Sequence, residues 1–326
     1  EKTENLVCSS GFAVLKAEKV ESEYLFAYLK SKKIVELLDR LTTATMYPAV
    51  TIEDILNTKI ILGTSKFRQE VKDMVVRSQE ELQNSKKFYY DAENLLLEEL
   101  ELKDFKNKEN LFSVVSLSDV KNANRIDAEY FQSKFNTLLS KVKTEKLGDL
   151  VSMTKGFETG AEAYQEIGKL FIRVSSVSKE GIIDKDQKYL KDELYQKLKK
   201  DFEPKIGEIL LTKDANPGIA YVLKEPVEGI ICGGVLKLKP KENIEPEFLA
   251  LCINSIIGKS QVERDAGGSI IAHWRPEQVK NLQIPTLPKA TRQKIAELVK
   301  KSHHAHRKAK ELLEEAKQKV EKLIEK

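Results

Sequence analysis

A few clusters in this 326-residue chain have residue types and spacing that chemistry can use. Gly258-Lys259-Ser260 ends like a phosphate-binding loop. The loop's first glycine would stand at 253, where Ile253 sits, so the backbone cannot cradle a phosphate and the segment reads as a helix end. Asp214-Ala215-Asn216-Pro217-Gly218 has the outline of the loop with which amino-methyltransferases hold a flipped base. It lacks the second proline and the stacking aromatic, and no glycine-rich cofactor loop accompanies it, so it reads as an ordinary turn. Asp184, Asp186 and Lys188 can be arranged as a metal-dependent nuclease site, but a charged surface loop yields such triples routinely.

His303, His304 and His306 form the one histidine cluster. On the heptad described below they fall at b, c and e, outside the seam, with no cysteine nearby, and only His303 and His306 share a face. A metal site is not expected. The fourth histidine, His273, lies in Ser269-Ile270-Ile271-Ala272-His273-Trp274-Arg275, beside the single tryptophan. There it is either structural or a donor to a base edge or phosphate, and both readings stay open. No Ser-His-Asp or Cys-His arrangement follows from sequence order. The chain reads as non-catalytic and without a cofactor.

Composition limits the class. Hydrophobic residues make up 41% and charged residues 33%, enough for real cores in two domains of ordinary size. The balance of 55 basic against 51 acidic residues leaves +4, so any nucleic-acid surface must be a local patch. One tryptophan and 7% aromatics argue against a single-strand stacking platform. No apolar run approaches the ~18 residues of a membrane span, and EKTENLVCSS has no secretory pattern. Cys8, Cys232 and Cys252, with no CxxC pair, argue against disulfides and structural zinc; a reducing cytoplasm is expected.

The elements that must position any site are organised by a repeat. Residues 1–102 laid on 225–326, an offset of 224, give 19 identities without a gap. Chance gives about 7 at average residue frequencies. Cys8 falls on Cys232, Arg40 on Arg264, Asn57 on Asn281, and Arg68-Gln69 on Arg292-Gln293. Residues 103–224 have no counterpart, so the chain reads as one complete unit preceded by the C-terminal part of another.

Each copy is expected to run strand, helix, Gly/Ser/Thr-rich turn, strand, then long helix. In the second copy these are Ile230 to Leu238, a helix after Glu245-Pro246, Gly267-Gly268-Ser269, and Val279 to Ile284 before Pro285 and Pro288. The closing helices carry heptads: Leu298, Ser302, Ala305, Ala309, Leu312, Ala316 and Leu323 in one, Val71, Met74, Ser78, Ser85, Phe88, Ala92 and Leu95 in the other. Small residues at the a positions permit close approach of two helices. The pair forms either a dimerisation coiled coil or, as each helix ends a matched domain, an antiparallel pair within one chain. In the middle, a helix is expected from Arg125 through Leu139, a short helix or strand at Leu147 to Met153, and strands at Leu170–Val174, Ile206–Thr212 and Ile219–Leu223.

The run Gly267-Gly268-Ser269, Trp274, Val279 to Pro285, Pro288 and Arg292-Gln293-Lys294-Ile295, leading into a charged helix, resembles the end of a target recognition domain. The family is the DNA-specificity (S) subunit of type I restriction–modification systems. Thr45-Met46-Tyr47-Pro48, Ile60-Ile61-Leu62 and Arg68-Gln69 are its weaker first copy. Lys155-Gly156-Phe157, Tyr164, Gly168, Phe171-Ile172-Arg173 and Ile206 to Leu210 resemble the family's N-terminal recognition-domain pattern. The chain departs from it in lacking the N-terminal part of the first domain.

The resemblance implies an α+β fold of mixed recognition domains joined by two long antiparallel coiled-coil helices. The boundaries it suggests are a partial first domain at 1–63, a spacer helix at 64–103, a complete domain at 104–287 and a second helix at 288–326. It implies that each domain reads half of a split site on double-stranded DNA in the major groove, while the helices set the spacing. It implies two adenine-N6 methyltransferase (M) subunits as partners, with restriction/translocase (R) subunits joining through the complex, and catalysis in those partners. Base reading needs side chains with paired donors and acceptors, and phosphates need Lys, Arg, Ser or Thr. The candidates are Lys155, Thr159, Arg173, Ser175, Ser176, Lys179, Lys213 and Asn216, with Ser269, His273 and Arg275 from the later turn and Thr43, Thr45 and Tyr47 from the partial domain. The alternatives are a coiled-coil adaptor that never touches DNA, a recognition subunit of a type II-like system, and a catalytic nuclease or methyltransferase. The last is disfavoured by the missing motifs.

Overall fold

The computed structural model describes residues 7–9, 11–42, 49–103, 112–140, 142–266 and 272–325. They divide into two compact units, residues 1–87 with 302–326, and residues 88–301.

The first unit holds α1 (Ser22–Leu29), α2 (Lys32–Arg40), α3 (Ile52–Asn57) and most of α4 (Ser65–Glu99). Tyr24, Ala27 and Tyr28 recur at three- and four-residue steps, so α1 buries one face. They pack with Ile34, Val71, Val75, Ala316 and Val320. The tyrosine hydroxyls then find backbone partners. Tyr24 donates to the Ile61 carbonyl at 2.6 Å, and Tyr28 donates to the Lys59 carbonyl at 3.1 Å while accepting from the Ile61 amide at 3.2 Å.

The second unit begins with α5 (Leu117–Ala123), α6 (Ser133–Leu139), β1 (Thr144–Lys146), α7 (Leu147–Leu150) and β2 (Val151–Lys155). Next come β3 (Lys169–Ile172), β4 (Val177–Ser178), β5 (Gly181–Ile182), β6 (Lys188–Leu190) and α8 (Asp192–Phe202). The run continues through β7 (Ile209–Thr212), β8 (Asp214–Ala215), β9 (Ala220–Val222), β10 (Gly229–Ile231) and β11 (Val235–Pro240). It closes with α9 (Pro246–Asn254), α10 (Ile256–Ala266), β12 (Ala272–His273), α11 (Pro276–Lys280), β13 (Gln283–Pro285) and the start of α12 (Lys289–Ile324), whose residues from Ser302 on belong to the first unit. An antiparallel sheet in the order β2-β11-β7-β9 stands beside a sheet β10-β3-β6, in which β10 and β3 run parallel. Three two-stranded pairs, β1-β13, β8-β12 and β4-β5, complete the ladders. Helices α9 and α10 bury Phe248, Leu249, Leu251, Ile253 and Ile257 against Ile209, Leu211, Leu236 and Leu238.

The repeat is written into the helices. Adding 224 to the bounds of α1, α2, α3 and α4 gives 246–253, 256–264, 276–281 and 289–323, the positions of α9, α10, α11 and α12 to within two residues. An ion pair repeats with them: Arg68 meets Glu21 at 3.0 Å, and Arg292 meets Glu245 at 3.5 Å.

Within the first unit α4 and α12 pair antiparallel through serines. Ser78 donates to the Ala309 carbonyl at 2.7 Å, and Ser302 donates to the Ser85 carbonyl at 2.9 Å. At the offset of 224, Ser78 corresponds to Ser302 and Ser85 to Ala309, so each bond is the other's repeat mate. The antiparallel, in-chain reading of the two helices is the one observed. Mid-seam Ala305 is buried at its expected d position, but elsewhere four second-position sites shift by one residue from the expected heptad. Val75, Leu96, Val299 and Val320 are fully buried, whereas Met74, Leu95 and Leu298 are half-buried. A helical side chain leans toward its own N-terminus, so a given spot is covered by the residue one place further along. The stripe is also broader than an a/d seam, and His303 is buried on it rather than lying outside.

Other expectations are revised. The stretch from Ile230 to Leu238 is two strands, broken where the Val235 amide returns to the Cys232 carbonyl at 2.9 Å. The first copy has no strand among its described residues. In the second copy β11 is held by β2 and β7 and β13 by β1, all from the segment without a counterpart; a strand lacking a ladder partner does not form. Ile60 to Leu62 are held by the two tyrosines instead. The helix expected from Arg125 starts at Ser133, because Arg125 binds Asp127 bidentately (2.8 and 2.6 Å) and ties the chain into turns. Leu147 to Met153 is both of its alternatives, α7 followed by β2. Gly258 lies in the first turn of α10, at the helix's N-terminal end. A Cβ there would stand 2.1 Å from the Ile253 carbonyl, so only glycine permits this approach of α10 to α9.

Candidate nucleic-acid interface

One side of the second unit opens into a cleft of about 1250 Å³. Three segments build it. The first is β2 and the loop after it, where Phe157 forms a bridge with Cys232 and Glu158 and Thr159 reach the lining. The second runs from the end of β3 through β4 and β5, bringing Arg173, Ser175, Ser178 and Lys179. The third is the loop Asp214 to Gly218, with Asn254 and Lys259 behind it on α9 and α10. Glycines make the close approaches. A Cβ on Gly156 would stand 2.1 Å from the Cys232 carbonyl, and one on Gly234 would stand 2.7 Å from Val174.

The loop at 214–218 is over-determined. The Asn216 amide donates to the Asp214 carbonyl at 2.6 Å, Thr212 Oγ1 donates to the Asn216 carbonyl at 2.7 Å, and the Gly218 amide returns to the Thr212 carbonyl at 2.9 Å. Ala215 is held at φ 59°, a left-handed conformation that costs an alanine about 1–2 kcal/mol. What holds it is the ladder of β8 with β12, which sets His273 opposite Asp214.

Several charges in and beside the cleft are paired. Asp214 takes Lys213 Nζ on Oδ2 at 2.6 Å and His273 Nδ1 on Oδ1 at 2.9 Å. Burial pushes the Asp214 carboxyl up, but the bonds from Lys213 and His273 outweigh it and hold the group below its ordinary value. Lys155 pairs with Glu158 at 2.5 Å and lowers that carboxyl too. Arg173 donates from Nη2 to the Asp186 carbonyl at 2.6 Å, while its Nε is buried and has no hydrogen-bond partner among the described residues. Lys179 lies 4.6 Å from the ring centroid of Tyr89 on α4, whose hydroxyl is pushed up by burial.

Of the residues expected from sequence, Thr159, Arg173, Ser175, Lys179 and Asn216 line this one cleft. Lys213 and His273 join it through Asp214, and Lys155 through Glu158. Ser176 is buried beneath it, its hydroxyl accepting from the Arg173 amide at 3.2 Å. Arg275 is exposed at the start of α11, where its amide and Nε share Gln278 Oε1 at 3.0 and 3.3 Å. Ser269, Thr43, Thr45 and Tyr47 lie outside the described residues.

Sequence reasoning set Asp214 and Lys259 aside as parts of near-motifs, and passed over Glu158 and Asn254 altogether. The signal for Asp214 is its place in an Asp-x-Asn-Pro-Gly turn, a type that presents side chains. Among the described residues no group of three or more His, Cys, Asp or Glu side chains is placed to hold a metal. No described helix is long and apolar enough to cross a membrane.

Residues 139–318 match a family model described as the type I restriction modification DNA specificity domain. No curated protein matches the chain. Similar solved structures include a type I restriction-modification S subunit from M. genitalium, with 15% identity, 94% of this chain and 73% of that one covered, and a TM-score of 0.44. The HsdS subunit from Thermoanaerobacter tengcongensis has 16% identity, 93% and 70% coverage, and a TM-score of 0.37.

Proposed function

The chain belongs to the type I restriction–modification DNA-specificity family, and from that premise we propose that it is the non-catalytic subunit that reads the DNA target for its complex. The single observation that carries this reading is the family match, which spans the whole cleft and most of α12. In this reading residues 104–287 are a complete recognition domain and 1–63 the C-terminal part of another. Helices 64–103 and 288–326 set the distance between two half-sites. Two adenine-N6 methyltransferase subunits dock on the chain, restriction/translocase subunits join through them, and methylation and cleavage are their work.

The cleft suits base reading because its polar groups are of both kinds. Arg173 and Lys179 offer donors, Asp214 offers acceptors, and Asn216 offers one of each on an amide. Arg173 is the sharpest case. Its Nε is buried and its Nη2 donates to the Asp186 carbonyl, so Nη1 and the second hydrogen of Nη2 are the donors it can bring to a base edge or phosphate oxygen. Candidates bound at neighbouring surface positions, among them Ser175, Lys155 and Arg275, would take phosphates.

The test is duplex binding by the full chain in its native complex, selected from randomised DNA and then measured on the preferred site. Arg173→Ala is expected to weaken specific binding by about 1–3 kcal/mol and to relax preference at one position. A fall of about one in the salt slope, with preference intact, would assign Arg173 to a phosphate instead. Unchanged affinity, salt slope and preference would remove Arg173 from the interface. Absence of any salt-sensitive duplex binding by the wild type would leave the adaptor reading.

A further inference from the structure

His273 and Asp214 are 59 residues apart in sequence and are brought face to face by the two-residue ladder of β8 and β12. Both carboxylate oxygens are engaged: Oδ2 takes Lys213, whose side chain is only 11% exposed, and Oδ1 takes His273 Nδ1. Lys213 is in turn fixed by its backbone, its amide donating to the Gly234 carbonyl at 2.9 Å and its carbonyl accepting the Trp274 amide at 2.8 Å. Trp274, the residue after His273, is fully buried. The histidine is therefore anchored from behind on a rigid support. Its side chain is nonetheless 65% exposed, and among the described residues Nε2 has no hydrogen-bond partner.

This arrangement decides where the proton of a neutral ring sits. An ionised carboxylate has acceptors only, so Nδ1 must carry the hydrogen that bridges to Asp214. The other nitrogen, Nε2, is then a bare lone pair facing outward. In the major groove only two base edges meet a lone pair with a hydrogen, the N6 amino group of adenine and the N4 amino group of cytosine. Guanine and thymine present carbonyl oxygens there, which repel it.

We propose that His273, oriented by Asp214, is an acceptor-type base reader that selects an amino-bearing base, adenine or cytosine, at one position of the DNA target. Asp214 is the positioning residue, and Lys213 keeps its carboxylate in place. The inference rests on the DNA-reading function proposed above and adds to it the chemical class of base taken by one side chain.

The experiment uses the full chain in its native complex at about pH 8, above the ordinary histidine range. The preferred duplex is first selected from randomised DNA. Each adenine of that site is then replaced by purine, which lacks only the amino group, and each cytosine by its counterpart without the N4 amino group. At one position the wild type is expected to lose about tenfold in affinity, the value of one good contact, and His273→Ala is expected to lose nothing further there. Comparing the two proteins on the same pair of duplexes cancels the effect of the analogue on the duplex itself.

Asp214→Asn supplies a readout that a merely structural role would not move. Its amide donates to Nδ1 as readily as it accepts, so it no longer enforces one tautomer. Discrimination between amino-bearing and carbonyl-bearing bases at that position is expected to fall toward parity. If the wild type selects a site but every analogue costs it and His273→Ala equally, the inference is overturned and the DNA-reading function stands. Selection of no sequence at all by the wild type overturns the function and the inference with it.

Discussion

Replacing Trp274 by alanine is expected to cost the second unit about 3–5 kcal/mol, the range for emptying a large aromatic from a core. Trp274 is the largest fully buried side chain among the described residues and belongs to the cluster containing Val279, Leu282 and Ile284. Its amide also ties the 272–275 segment to the Lys213 carbonyl, so the vacated space lies directly behind the ladder of β8 and β12. A second effect is therefore expected at temperatures where the variant is still folded: weakened preference among DNA sites. Trp274→Phe separates the two. The indole Nε1 is buried with no hydrogen-bond partner among the described residues, so phenylalanine removes an unpaired donor as it leaves a small void. It should lose less than about half of what alanine loses. Urea unfolding followed by circular dichroism measures both, and an alanine variant within about 1 kcal/mol of the wild type would contradict the packing described.

Ser85→Leu is expected to destabilise the helix pair by about 2–4 kcal/mol. The hydroxyls of Ser85 and Ser302 are 3.2 Å apart and both residues are buried, so the backbones of α4 and α12 approach too closely there for a branched side chain. Forcing one in costs typically 1–3 kcal/mol, and displacing Ser302 from the Ser85 carbonyl adds the cost of an unmade buried bond. Ser85→Ala keeps the close approach and that backbone bond, so it should stay within about 1 kcal/mol of the wild type. The repeat makes the comparison sharper, because position 85 corresponds to 309, where alanine already stands. Equal thermal midpoints for the leucine and alanine variants would show that the helices do not meet at this level.

The first and last helices of each copy were legible because their signals are local; α2 and α3, with their mates α10 and α11, were not read from sequence. The offset of 224 carries α1 to α4 onto α9 to α12 since each copy keeps the same apolar spacing and the same Arg–Glu pair between the first and last helices. The a positions were readable for the same reason: a serine or alanine every seven residues marks a line along which two helices can approach closely. Strands were less so. Ile230 to Leu238 alternates, but its counterpart in the first copy carries Ala13 and Leu15 where the second has Lys237 and Lys239, and it has no partner strand among the described residues. Helix α8 carried its signal openly, with Leu194, Tyr195, Leu198 and Phe202 on one side and acidic and basic residues at its two ends, yet the surrounding charge masked it.

The cleft lay between these extremes. Polar residues beside glycine and proline turns could be singled out one by one, which is how Arg173, Lys179 and Asn216 were reached. The contacts that make them a site are long-range. Nothing in the spacing of 59 residues says that Asp214 will face His273, because that depends on a two-residue ladder behind which Trp274 is packed. Asp214 reads as a turn residue until its partner is in place.

The most direct test of the central claim is adenine methylome sequencing of cells that carry this chain, compared with the same cells after its deletion. The account predicts a two-part adenine motif that is methylated only when the chain is present and that broadens at one position with Arg173→Ala. A methylome unchanged by deletion, in cells whose adenine methyltransferase subunits co-purify with the chain, would contradict it.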